Sequence, residues 1–110
     1  CSDVAGCEEH QFVTQLGGGV ALSARDRASI ADLKLRKFLE DTAQKNQIPY
    51  QYKKTTAGGN DAGAIHISGR GIPTASLSVP CRYLHSPAGL IAASDLSAMK
   101  QLAERFMQNF

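Results

Sequence analysis

The sequence predicts an α/β domain in which strands and helices alternate along the chain. Residues 20–23 form a short, mostly apolar run with the length of a strand, and residues 74–79 form a second strand-length segment between two prolines. The segments that follow the strands carry apolar residues at helical spacing, and the predicted order is β-α-β-α-β-α. Alternation of this kind favours a mostly parallel sheet covered by helices.

The first helix is predicted to follow Asp32, whose side chain can cap the N-terminus, and to end between Asn46 and Pro49. Apolar side chains at helical spacing mark its buried face: Leu35, Phe38, Leu39 and Ala43. The next segment, residues 49–53, alternates around two tyrosines and is predicted to be a strand.

A short helix and the third strand are predicted in the middle of the second half. The helix covers residues 62–67 and follows Asn60 and Asp61, with Asp61 as its cap. The strand is bounded by Pro73 and Pro80, because proline lacks the backbone N–H that a central strand needs.

The segment after this strand is predicted to be a loop over residues 81–93. Ser94 is predicted to cap the last helix. The apolar face of that helix comprises Leu96, Met99, Ala103, Phe106 and Phe110. His85 lies in the loop just beyond the carboxyl end of the strand, where ligand-binding residues collect in open α/β sheets.

Composition narrows the class of protein. With 110 residues the chain is long enough for one domain with one hydrophobic core. A net charge of +2, with basic residues scattered along the chain, argues against a nucleic-acid or membrane-surface partner. Three cysteines, an odd number without a Cys-x-x-Cys pair, favour a reduced, cytoplasmic setting. No apolar run is long enough to span a bilayer.

On sequence alone, each polar candidate for a functional site also has an explanation that involves no ligand. A single histidine such as His85 is more often a surface or hydrogen-bonded residue than a metal ligand. An aspartate near a chain terminus, such as Asp3, is usually solvated. The run Gly58-Gly59-Asn60-Asp61 is expected to be a loop that leads into the short helix.

Several short blocks, taken in order, are more specific than any of these residues. They are Asp3-Val4, LGGGVALSARD at residues 16–26, IPYQ at 48–51, DAGAIH at 61–66, SVP at 78–80 and RYLHS at 82–86. In this order they resemble the M42 metallo-aminopeptidases, which include the glutamyl aminopeptidases and the TET peptidases. The resemblance implies that residues 1–110 are the C-terminal part of a three-layer α/β/α zinc-peptidase domain. It also implies that the N-terminal catalytic part and an inserted dimerisation domain are absent.

The same resemblance implies roles for individual residues. Asp3 and His85 each hold one of two divalent metal ions, zinc or cobalt, and the Glu that serves as general base lies upstream of this chain. The turn formed by Gly58, Gly59, Asn60 and Asp61 borders the peptide-binding cleft. The implied function is metal-dependent release of N-terminal amino acids from peptides by a homo-oligomeric enzyme, with this fragment inactive by itself.

Two other functions are weighed against this one. A truncated gene product could act as a non-catalytic interaction module through an exposed sheet edge. Glycoside hydrolysis, an activity assigned to some M42 relatives, would need two carboxylic side chains on either side of a sugar cleft. No such pair is marked in the sequence, so this function ranks low.

Overall fold

The core of the fold is a three-stranded sheet in the order β2-β1-β3. The computed structural model describes residues 3–110. β1 is Val20–Ser23, β2 is Tyr50–Tyr52 and β3 is Ser76–Ser78, all within the predicted strand segments. Every residue of the central strand β1 is buried, and neighbouring strands pair with both of its edges.

The strand directions confirm the α/β prediction, but one strand pair differs from the mostly parallel sheet that was expected. β1 and β2 are parallel, with Val20 opposite Tyr50, and a long helix connects them as parallel neighbours require. β3 is antiparallel to β1, with Leu22 opposite Leu77. The connection from β2 to β3 contains only a four-residue helix, so no full crossover returns the chain to the same end of the sheet.

The first long helix, α1, covers Leu33–Lys45 and has the predicted ends. The Asp32 carboxylate accepts a hydrogen bond from the backbone N–H of Leu35 at 2.9 Å, which satisfies one of the free donors of the first turn. At the other end, the backbone N–H of Asn46 donates to the carbonyl oxygen of Thr42 at 3.2 Å.

The caps of the other two helices differ from the predictions. α2 covers Ala62–Ile65, and its N-terminal N–H is bound by the side chain of Asn60 at 2.9 Å, whereas Asp61 makes no capping hydrogen bond. α3 covers Ala93–Asn109, so the prediction that Ser94 caps it is wrong. Ala92 takes the cap position and has no side-chain oxygen that could accept a hydrogen bond.

The predicted loop over residues 81–93 contains a small hairpin. β4, Cys81–Arg82, pairs antiparallel with β5, Leu90–Ile91. The segment between the two strands, residues 83–89, therefore forms the hairpin loop that contains His85.

The hydrophobic core lies between the sheet and the two long helices. Its buried members are Val20, Leu22, Leu39, Ala43, Ile48, Ala98 and Leu102. Since these come from β1, α1, α3 and the segment before β2, the two helices pack together against one face of the sheet. None of the helices within residues 3–110 has the length and apolar character needed to cross a membrane.

Candidate functional site

His85 is displayed to solvent by an unusual turn at the tip of the hairpin. Its backbone has a φ of +62°, and that of Tyr83 is +61°, a conformation that is uncommon for residues other than glycine. Ser86 stabilises the turn, because its N–H donates to the carbonyl oxygen of Tyr83 and its hydroxyl donates to that of Ala88 at 2.8 Å. The backbone that carries the exposed imidazole of His85 is therefore fixed by hydrogen bonds between the residues on either side of it.

Asp3 is tied to the strand that leads into this turn. Its Oδ2 atom lies 3.2 Å from a terminal guanidinium nitrogen of Arg82, and its Oδ1 atom accepts from Nε of Arg82 at 3.4 Å. Oδ1 also accepts from the backbone N–H of Leu16 at 3.2 Å. Both partners of the ion pair are largely shielded, with 19% of the Asp3 side chain and 30% of the Arg82 side chain exposed. The pair joins Asp3 to the hairpin that carries His85.

The chemistry of these two donors suits part of a metal site. A carboxylate and an imidazole are both accepted by zinc and cobalt, but zinc normally takes three or four protein ligands. Within residues 3–110, no group of three His, Cys, Asp or Glu side chains converges to hold a metal ion. The described residues thus supply at most part of a donor set and do not form a complete metal site.

The glycine-rich turn at residues 58–61, called the 58–61 turn below, forms a second exposed feature. Gly58 has a φ of +76°, and its carbonyl oxygen accepts from the N–H of Arg27 at 2.9 Å. Asn60 is fixed at both ends of its amide, since Oδ1 caps α2 and Nδ2 lies 3.1 Å from the hydroxyl of Ser76 in β3. The turn is therefore attached to the sheet, although all four of its residues are exposed.

A buried carboxylate that the sequence analysis did not single out, Asp26, directly precedes Arg27, which donates to this turn. Asp26 accepts from the N–H groups of Ala28 and Ser29, each at 2.7 Å, and from the Ser29 hydroxyl at 3.2 Å. Burial acts to raise the pKa of Asp26, but these hydrogen bonds and the nearby charge of Lys53 together hold it below its usual value. The available signal was the aspartate itself, because Asp side chains often accept from the backbone N–H two residues later, here that of Ala28, in an Asx turn.

The loop that Asp26 holds also contacts the helix after the 58–61 turn. A Cβ atom added at Gly63 would lie only 2.6 Å from Cβ of Ala28. The glycine at this position of α2 thus permits close packing of the two segments.

Asp95 is a second buried carboxylate that sequence reasoning missed. Its side chain is fully buried in the first turn of α3, and its oxygens accept from the N–H of Gly17 at 2.8 Å and of Gly19 at 2.9 Å. An acidic residue just inside a predicted helix, together with a run of glycines that exposes backbone N–H groups, was the signal. Its partners lie 76 and 78 positions away, so the pairing itself is a property of the fold.

Comparisons with known proteins agree on one family. A family model described as M42 glutamyl aminopeptidase matches residues 1–102. The putative aminopeptidase of Acetivibrio thermocellus is 43% identical over 98 residues, which are 88% of this chain and 30% of that protein. Aminopeptidase APDkam598 from the archaeon Desulfurococcus kamchatkensis matches with a TM-score of 0.95 at 33% identity, over 100% of this chain and 32% of that one.

A further solved structure carries information on assembly. The Pyrococcus horikoshii TET1 peptidase, which can assemble into a tetrahedron or a large octahedral shell, matches with a TM-score of 0.73 at 32% identity. That match covers 96% of this chain and 29% of the TET1 chain. The chain described above spans about 30% of the length of the relatives it matches.

Proposed function

This chain belongs to the M42 glutamyl aminopeptidase family, and on that premise we propose that it forms part of a metal-dependent aminopeptidase that releases N-terminal amino acids from peptides. The observation behind the proposal is that the sequence match to the family and the backbone match to a solved aminopeptidase agree. The family model covers residues 1–102, and a solved aminopeptidase shares the whole described fold with a TM-score of 0.95.

Asp3 and His85 are the metal ligands that we propose within this chain. Their support is the donor chemistry together with the Asp3–Arg82 ion pair, which ties the carboxylate to the hairpin that displays the imidazole. Two bound divalent ions, zinc or cobalt, would supply Lewis acidity for peptide hydrolysis. We propose that the remaining ligands and the general base come from parts of the family fold outside these residues.

The 58–61 turn is proposed to border the bound peptide. Gly58 and Gly59 have no side chains, so their backbone groups can approach a substrate closely. The amide of Asn60 is already engaged by Ala62 and Ser76, and the carbonyl oxygen of Gly58 by Arg27, which leaves the backbone of Gly59 and the exposed carboxylate of Asp61 as the groups available to a substrate.

The cellular setting and the assembly are inferred from one relative and from the cysteines. We propose a cytoplasmic homo-oligomer, because the TET1 relative assembles into closed shells and the thiols of Cys7 and Cys81 are free. Nucleic acid and membranes are not expected as partners at a net charge of +2.

A chimera tests the proposal directly. This chain would replace the matched segment of the Acetivibrio thermocellus relative, and bound zinc and release of the N-terminal residue from a peptide would be measured. His85→Ala and Asp3→Ala are each expected to lower zinc content and to reduce activity by roughly 100-fold or more. His10→Ala is the matched control, since His10 is exposed and pairs with Glu8 at 3.2 Å.

The control is expected to retain both zinc and activity. Full zinc content and full activity in the His85→Ala chimera would show that His85 is not a ligand. A chimera that binds zinc but releases no N-terminal residue would contradict the proposed reaction.

A further inference from the structure

The loop of residues 15–19, called the 15–19 loop below, contacts the carboxylate of Asp3. It lies directly before β1, and the backbone N–H of Leu16 within it donates to Oδ1 of Asp3 at 3.2 Å. Asp3 is one of the two metal ligands proposed above. The orientation of its carboxylate therefore depends in part on how the 15–19 loop is fixed.

The side chain of Gln51 in β2 fixes this loop. Its Oε1 atom accepts from the backbone N–H of Gln15 at 2.9 Å. Its Nε2 atom donates to the carbonyl oxygen of Gln15 at 2.9 Å and to that of Gly19 at 3.1 Å. Because a primary amide has two N–H donors, both donors of Gln51 are used on the loop backbone. Gln51 is half-buried and lies 36 positions from Gln15, so the contact is a tertiary one.

A single peptide group connects Gln51 to Asp3. The carbonyl oxygen of Gln15 and the N–H of Leu16 belong to the same peptide group, which is trans and planar. Gln51 donates to the oxygen on one edge of this plane, and the N–H on the opposite edge donates to Asp3. Because the plane is rigid, a fixed C=O also fixes the direction of the N–H. A hydrogen bond to the carbonyl oxygen further polarises the group and strengthens its N–H as a donor.

We propose that Gln51 is a positioning residue for the metal ligand Asp3. It acts through the peptide group between Gln15 and Leu16 and is not itself a ligand. The groups that form hydrogen bonds with a metal-ligating side chain hold it in the orientation for binding, and their removal typically weakens metal binding about 10- to 100-fold. The inference rests on the proposed function, because it requires that Asp3 binds a metal ion.

Gly18 offers a second way to disturb the same contact. A Cβ atom added there would lie 2.5 Å from Nε2 of Gln51 and 3.2 Å from the carbonyl oxygen of Gln15. Gly18 is not among the glycines with a positive φ, so alanine at this position meets no left-handed backbone strain. Gly18→Ala is therefore expected to displace the amide while the Gln51 side chain itself is unchanged.

Zinc binding by the chimera described above tests the proposal. Competition with a chelator would give the dissociation constants of the two zinc ions, and Asp3→Ala and His85→Ala would identify the ion that each ligand holds. Gln51→Met preserves the length of the side chain and removes its hydrogen bonds. It is expected to raise the dissociation constant of the Asp3 ion by roughly 10-fold or more and to change that of the His85 ion by less than about twofold. Gly18→Ala is expected to weaken binding of the same ion.

Two control variants separate positioning from general stability. Gln44→Met removes an exposed glutamine amide that donates to the hydroxyl of Tyr50 at 2.9 Å and not to the 15–19 loop. Leu39→Val shortens a buried side chain of the core and destabilises the fold without removing the contacts of Gln51. Both are expected to leave the two dissociation constants unchanged. Thermal unfolding would verify that each chimera is folded, and Gly18→Ala carries the test if Gln51→Met does not fold.

Three results would overturn the proposal. An unchanged affinity for the Asp3 ion in the folded Gln51→Met chimera would do so while leaving the proposed function intact. Equal weakening of both ions, or the same weakening in Leu39→Val, would assign Gln51 to general stability. Zinc binding that Asp3→Ala leaves unchanged would overturn this proposal together with the proposed role of Asp3.

Discussion

Replacement of Asp95 by alanine is expected to be among the most destabilising single changes in this chain. The carboxylate is fully buried and receives the backbone N–H groups of Gly17 and Gly19 at 2.8 and 2.9 Å. It joins the first turn of α3 to the segment that enters β1. Alanine would remove both hydrogen bonds and leave the two donors without their acceptor.

The magnitude follows from the different surroundings of the two donors. A hydrogen bond to a charged group contributes about 1.5–3 kcal/mol, and a buried donor left without an acceptor retains the full cost. Gly19 is buried, so its N–H would remain unsatisfied, whereas Gly17 is exposed and water can replace part of its hydrogen bond. The sum is about 3–4 kcal/mol, a large share of the roughly 5–15 kcal/mol that stabilises a typical domain.

Urea unfolding followed by circular dichroism would measure this loss. Asp95→Asn should cost less, about 2 kcal/mol, because its one amide oxygen can still accept from one of the two donors. Glu104→Gln is the control on the same helix, since the Glu104 side chain is 50% exposed and lies 3.8 Å from Lys100. That control should change stability by less than about 0.5 kcal/mol. A loss below about 1 kcal/mol for Asp95→Ala would refute the reasoning.

Three further changes have defined outcomes. Gly19→Ala should cost more than about 3 kcal/mol in urea unfolding, because its Cβ would lie 2.1 Å from a backbone oxygen, whereas Gly6→Ala, at nearly the same φ but in open space, should cost only about 1 kcal/mol. Folding lowers the pKa of Asp26 below its ordinary value of 3.8, so the ionised carboxylate stabilises the fold above pH 3.8 and this contribution should be lost as pH falls through the folded pKa. The free energy of unfolding of Asp26→Asn should therefore depend less on pH in the acid range. Burial and a hydrogen bond to Glu40 raise the pKa of Tyr52 to about 12, so its contribution should be complete below pH 10.0 and decline between pH 10.0 and about 12. Tyr52→Phe should abolish that alkaline decline, and a phenolate absorbance titration that gives an ordinary pKa would contradict the assignment.

The parts of the fold that were predictable from sequence depend on local interactions. The ends of α1 follow from Asp32, whose side chain binds an N–H three residues later, and from Asn46 and the nearby Pro49. β1 was predictable because its apolar run is short and follows a glycine-rich turn. In both cases the residues that decide the structure are neighbours in the chain.

The parts that were not predictable depend on distant partners. β3 is antiparallel to β1 because of the path of the whole connection from β2, which local propensity does not encode. Ser94 has the right chemistry for a cap, yet the helix begins before it and Asp95 binds Gly17 and Gly19 instead. For the candidate site, Asp3 and His85 were suggested by a family resemblance, while the arginine that links Asp3 to the hairpin became evident only in the structure.

The ion pair between Asp3 and Arg82 has a consequence for how the protein is made. Its two residues are separated by 79 positions, so during synthesis the carboxylate leaves the ribosome long before its partner. At a synthesis rate of roughly 5–20 residues per second, Arg82 is added about 4–16 s after Asp3. The hydrogen bond from Leu16 to Asp3 can therefore form early, whereas the ion pair forms only after β1, α1 and β2 have all been translated.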